Sequence, residues 1–67
     1  MKLKALIYSK GLSQWDVARR LGWTESRLSR YITGRQLPSN GDLLSLSRVL
    51  EVPENELRLI IGMPSNG

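Results

Sequence analysis

The chain predicts an all-α fold of five short helices, and three observations predict it. Apolar residues recur at helical spacing throughout, and no run alternates with strand period. Serine or threonine stands just ahead of three of the periodic segments, where a helix N-cap belongs. The chain has 67 residues and no cysteine or histidine, so neither disulfides nor histidine-bound metal can hold it. Its stability must come from packed Leu, Ile and Val in one domain (1–67, ordered core about 2–62), near the lower size for a single core.

Leu3, Leu6 and Ile7 form one face of a first helix that stops near Gly11. Leu12-Ser13-x-x-Asp16-Val17 starts the second: a serine cap, an acid three residues on, and a staple from Leu12 to Val17. Gly22 ends it in the left-handed conformation. Trp23-Thr24-Glu25-Ser26-Arg27-Leu28 starts the third with the same cap and staple, but Arg27 stands where the acid belongs. That start keeps more of its amides free and adds positive charge beside them, which suits a phosphate or a base edge. Pro38-Ser39-x-x-Asp42-Leu43 repeats the serine–acid box and opens a fourth helix from about Asn40 to Leu50. It buries Leu43, Leu46, Leu50 and either Leu44 or Val49. Val52-Pro53 breaks it, and Pro53 opens a fifth helix through Glu54 to about Ile61. Gly62, Met63 and Pro64 end that helix, leaving Ser65, Asn66 and Gly67 frayed.

The segment from Leu12 to Gly34 carries most of the functional information. Ala18 presents almost no side chain, so another helix can cross close over it, and Gly22 turns the chain sharply. The helix after the turn sends Leu28 inward and keeps Ser26, Arg27, Ser29 and Arg30 elsewhere. A small contact, a sharp turn and an exposed polar helix are what a helix-turn-helix DNA reader requires.

Charge placement supports a polyanionic partner on one side. Residues 19–35 hold Arg19, Arg20, Arg27, Arg30 and Arg35 against Glu25 alone. Residues 36–67 hold Arg48 and Arg58 against Asp42, Glu51, Glu54 and Glu56. The inventory argues against an enzyme, because the six acids are scattered and no phosphate-cradling loop or nucleophile elbow is present. No cofactor or metal is expected. No apolar run is long enough for a signal peptide or membrane span, so the expectation is a cytoplasmic protein.

Leu12-Ser13-Gln14, Ala18-x-x-Leu21-Gly22, Leu28-Ser29-Arg30-Tyr31, Gly34-Arg35 and Leu37-Pro38-Ser39 resemble the Cro/cI-type helix-turn-helix repressors, the Xre family. Leu43-Leu44-x-Leu46, Leu50-Glu51-Val52-Pro53 and Glu56-Leu57 are similar to its later helices. The resemblance runs from Leu3 to about Ile61. It implies a lambda-repressor-like domain that binds double-stranded operator DNA, usually as a homodimer on inverted half-sites. It places Thr24, Glu25, Ser26, Ser29 and Arg30 against bases, and Ser13, Gln14, Arg27, Thr33 and Arg35 against phosphates. The chain departs from the family in carrying Ile7 and Ile32 where an arginine–glutamate pair is common. A buried ion pair can be exchanged for apolar groups at little cost, so Ile7 is expected to touch Ile32. Asn40 replaces a usual aliphatic, which predicts a looser start to the fourth helix. Only two residues precede Leu3, so no arm is expected in the minor groove.

Each assignment competes with a plainer one. Arg30 is the main specificity candidate because arginine binds guanine in bidentate fashion, and otherwise it is a solvated arginine. Glu25 either accepts from a cytosine amine or favours the helix dipole. Ser26 and Ser29 read bases or simply let the helix sit deep in the groove. Gln14 and Arg35 are assigned to phosphates, while Arg19 and Arg20 are read as solvated. Trp15 is read as covering the core with its indole nitrogen wet, and Trp23 as the staple over Leu28. Tyr31 is read as half-buried, its hydroxyl reaching toward the DNA backbone. Leu57, Ile60 and Ile61 fit one inward stripe, which leaves Leu59 and Met63 as a dimer contact or as ordinary surface hydrophobes. The competing functional reading is a protein-interaction module, such as an antitoxin with a protein partner, motivated by Trp15 and the apolar fifth helix.

Overall fold

The computed structural model describes residues 2–63. Five helices make up the described chain: α1 (Lys2–Ser9), α2 (Gln14–Leu21), α3 (Glu25–Ile32), α4 (Asn40–Leu50) and α5 (Glu54–Ile61). The expected fraying of Ser65, Asn66 and Gly67 falls outside the described residues.

Local chemistry explains the helix ends. At α2, the Ser13 hydroxyl accepts from the Asp16 amide at 3.1 Å, and the Asp16 carboxylate accepts from the Ser13 amide at 2.8 Å. This closed box satisfies two otherwise orphaned donors. Gly22 ends α2 at φ 72°, and the amide of Trp23 then reaches back to the Ala18 carbonyl at 2.9 Å. A side chain is strained at that φ, so glycine is what permits the turn. Thr24 caps α3 by accepting from the Arg27 amide at 3.2 Å. At α4 only half of the expected box forms. Ser39 accepts from the Asp42 amide at 3.2 Å, while the Asp42 carboxylate turns to α3. Pro53 is the N-cap of α5 rather than its first helical residue.

α2 packs against α1, α3 and α4, and α5 closes the bundle against α1 and α4. The core gathers Leu3 and Ile7, Val17 and Ala18, Leu28 and Ile32, Leu43, Leu46 and Leu50, and Leu57. Ile7 and Ile32 are both withdrawn from water in this one cluster, so two apolar groups share the core. Val49, not Leu44, packs partly buried against the core, beside Ser47, the fourth buried residue of α4, and Leu44 stays exposed.

Three readings need correction. Trp15 is 51% exposed and lies under the Arg19 guanidinium, 4.9 Å from the ring centroid, instead of covering the core. An indole at a helix's second position points away from the bundle when the inward arc is already filled by Val17, Ala18 and Leu21. Met63 packs against the core, because its amide caps α5 on the Arg58 carbonyl at 2.9 Å and draws the side chain inward. Of the surplus apolar pair only Leu59 stands free, at 73% exposure. Nor is Asn40 loose: its side-chain carbonyl accepts from the buried Arg58 at 2.9 Å, tying the start of α4 to α5.

Candidate nucleic-acid interface

α3 divides by face. At about 100° per residue, Glu25, Ser26, Ser29, Arg30 and Thr33 fall within an arc of about 140°. Leu28, Tyr31 and Ile32 occupy the opposite side and are buried. Ala18, only 2% exposed, and the turn at Gly22 let α3 lie directly on α2, which leaves the polar arc outward.

Ser26, Ser29, Arg30, Thr33 and Arg35 line a single concavity of about 380 Å³. Two arginines border it, no acid lines it, and neither arginine takes part in an ion pair among the described residues. Arg35 reaches the concavity because the chain folds back after α3, with the Gln36 amide donating to the Arg30 carbonyl at 3.2 Å. Thr24 and Glu25 are exposed at the start of the same helix. Sequence reasoning thus named a set of residues that the fold assembles on one surface. Gln14 begins α2, and of the first amides there those of Gln14 and Trp15 lie outside the Ser13–Asp16 box.

Other assigned residues have different surroundings. Ser13 is engaged with Asp16 through both amide and hydroxyl, the hydroxyl donating at 2.9 Å, so its donors are held within the cap. These bonds from Ser13 hold the Asp16 carboxyl below the usual carboxylate range, with Arg20 and Arg19 adding to the effect. Thr33 donates its hydroxyl to the Ser29 carbonyl at 2.9 Å and so closes the end of α3.

Arg27 lies on the flank of α3 that faces α4. One guanidinium nitrogen meets both Asp42 oxygens at 2.7 Å, and the guanidinium stacks 4.6 Å from the Trp23 ring centroid. Tyr31 is buried, and its hydroxyl also donates to Asp42, so it does not reach outward toward DNA. Trp23 meets the Tyr31 ring edge to face, with centroids 5.6 Å apart. Hydrogen bonding from Arg27, with Tyr31 adding, holds the Asp42 carboxyl below its ordinary value. Burial, followed by the bond to Asp42, pushes the Tyr31 phenol up. Sequence reasoning missed Asp42 as a partner of α3, because its position reads locally as a helix cap.

Among the described residues, no group of three or more His, Cys, Asp or Glu is placed to hold a metal, and no helix is long and apolar enough to cross a membrane. A family model described as a helix-turn-helix domain matches residues 2–60. No curated protein and no solved structure matches the chain. The matched span takes in α1 to α4 and nearly all of α5, in agreement with the resemblance to the Cro/cI type. The chain therefore belongs to the helix-turn-helix domain family, and DNA binding is the activity that this membership implies.

Proposed function

We propose that the protein is a sequence-specific, double-stranded-DNA-binding transcriptional regulator of a prokaryote or phage, acting in the cytoplasm as a repressor by occupying its operator. α3 enters the major groove, with Arg30 reading a guanine and Ser26, Ser29, Thr24 and Glu25 facing neighbouring base edges. Gln14, the amides of Gln14 and Trp15 at the start of α2, and Arg35 anchor to phosphates. Two copies, meeting through the exposed Leu59, read inverted half-sites about 34 Å apart.

The observation that carries this reading is the acid-free concavity on α3, lined by small hydroxyls and bordered by Arg30 and Arg35. Small side chains let a helix approach base edges closely, and the two cations meet the charge of the backbone. Selection of bound duplexes from a random library, at two salt concentrations, tests it. An enriched palindrome with half-sites one helical turn apart is the expected result. Salt-sensitive retention without any enriched motif would leave only a nonspecific basic surface.

A second reading, a protein-interaction module, draws on the exposure of Trp15 at 51% and Leu59 at 73%. Co-purification of a protein partner together with no measurable DNA affinity would favour it over the first.

A further inference from the structure

The cluster of Trp23, Arg27, Tyr31 and Asp42 stands outside the DNA-facing concavity, yet it joins α3 to the start of α4. α3 packs along α2, and α4 packs along α2 and α5. Besides the core packing of Leu28 and Ile32, Arg27 and Tyr31 lie one turn apart on the flank of α3 and converge on Asp42 of α4. Rotation matters for reading. A roll of about 20° moves an atom on the helix surface, about 5–6 Å from the axis, by about 2 Å. The distance window for a good hydrogen bond is only about 0.5 Å wide.

We propose that Asp42 is a positioning residue for base reading: it touches no DNA, but by accepting from Arg27 and Tyr31 it sets the roll of α3 and keeps the Arg27 guanidinium against Trp23 and away from phosphates. This rests on the DNA-binding function proposed above. The structure supports each part. Asp42 is the only acid that meets α3 among the described residues' ion pairs, and its side chain is 15% exposed. Both of its oxygens accept, so a neutral amide in its place loses one acceptor and the charge that pairs with Arg27. Arg27 retains 42% side-chain exposure, so its release would add a mobile cation beside the groove.

The experiment measures binding of the wild type and of Asp42→Asn, Tyr31→Phe and Arg27→Met/Asp42→Asn to a selected site and to a random duplex of equal length. Fluorescence anisotropy at several salt concentrations supplies affinities and salt slopes, and circular dichroism verifies the fold. In Asp42→Asn the ratio of specific to random affinity is expected to fall about ten-fold or more. Random-duplex affinity should hold or rise, and its salt slope should steepen by about 0.9 as Arg27 gains a phosphate. The double variant should keep the lost selectivity but regain the wild-type slope. Tyr31→Phe keeps the ring and removes one bond to Asp42, so its ratio should fall by a smaller factor. It also decides the matter if Asp42→Asn does not fold. Parallel loss on both duplexes, or an unchanged ratio in folded variants, overturns the proposal. A wild type that does not discriminate between duplexes overturns the DNA-reading function itself, and this proposal with it.

Discussion

Replacing Asn40 by alanine removes the main acceptor of a buried arginine. Arg58 is only 8% exposed and donates to the Asn40 carbonyl at 2.9 Å, with Glu54 a distant second at 3.5 Å. Losing one hydrogen bond to a charged group costs about 1.5–3 kcal/mol, and the weak Glu54 contact does little to offset it. A chain of this size has a total stability of about 3–10 kcal/mol, so the loss is a large fraction of the whole. With an expected cost of about 2 kcal/mol, the midpoint of thermal unfolding should drop by about 8–16 °C. Urea unfolding followed by helical circular dichroism gives the free energy directly. The companion variant Asn40→Leu/Arg58→Met exchanges both partners for apolar groups, and it should be much less destabilised than the sum of its single changes. An Asn40→Ala protein within about 0.5 kcal/mol of the wild type would refute this reasoning, since that is the range of an ordinary surface change. Strict additivity in the double variant would refute it as well.

Glu51 is the only non-glycine residue with positive φ among the described residues, at 55°. Glu51→Gly should relieve the left-handed strain and stabilise the protein by about 1 kcal/mol, measurable as a rise of about 4–8 °C in midpoint. On DNA, Arg30→Ala should relax preference at one base position by about 1–3 kcal/mol, whereas Arg35→Ala should weaken all sequences alike and flatten the salt slope by about 0.9. Equal loss on specific and random duplexes for Arg30→Ala would contradict its assigned role. The acid limb of stability comes from Asp42, held low chiefly by Arg27, and from Asp16, held low by Ser13. A carboxyl lowered in the folded state contributes stability above its unfolded value, and that contribution is lost as pH falls through the folded one. Unfolding midpoints should therefore decline below about pH 4, and Asp42→Asn should show a shallower decline.

The five helices and the polar outward arc of α3 are legible in the residue pattern alone. Helix periodicity, serine and threonine caps and the turn at Gly22 act within a few residues of one another, so one chain suffices to read them. The same locality explains the errors. Ser13-x-x-Asp16 and Ser39-x-x-Asp42 are alike in the sequence, yet the first closes its box and the second sends its carboxylate across to Arg27 and Tyr31. Arg58 meets Asn40 across 18 residues in the same way, where local reading expected a loose helix start. Trp15, expected over the core, is exposed because Val17 and Ala18 already fill the inward arc of α2. These outcomes depend on how the helices pack against one another. A charged side chain settles on whichever partner the packed helices bring within about 3 Å, and that distance depends on how the helices cross, which the spacing of residues along the chain does not specify.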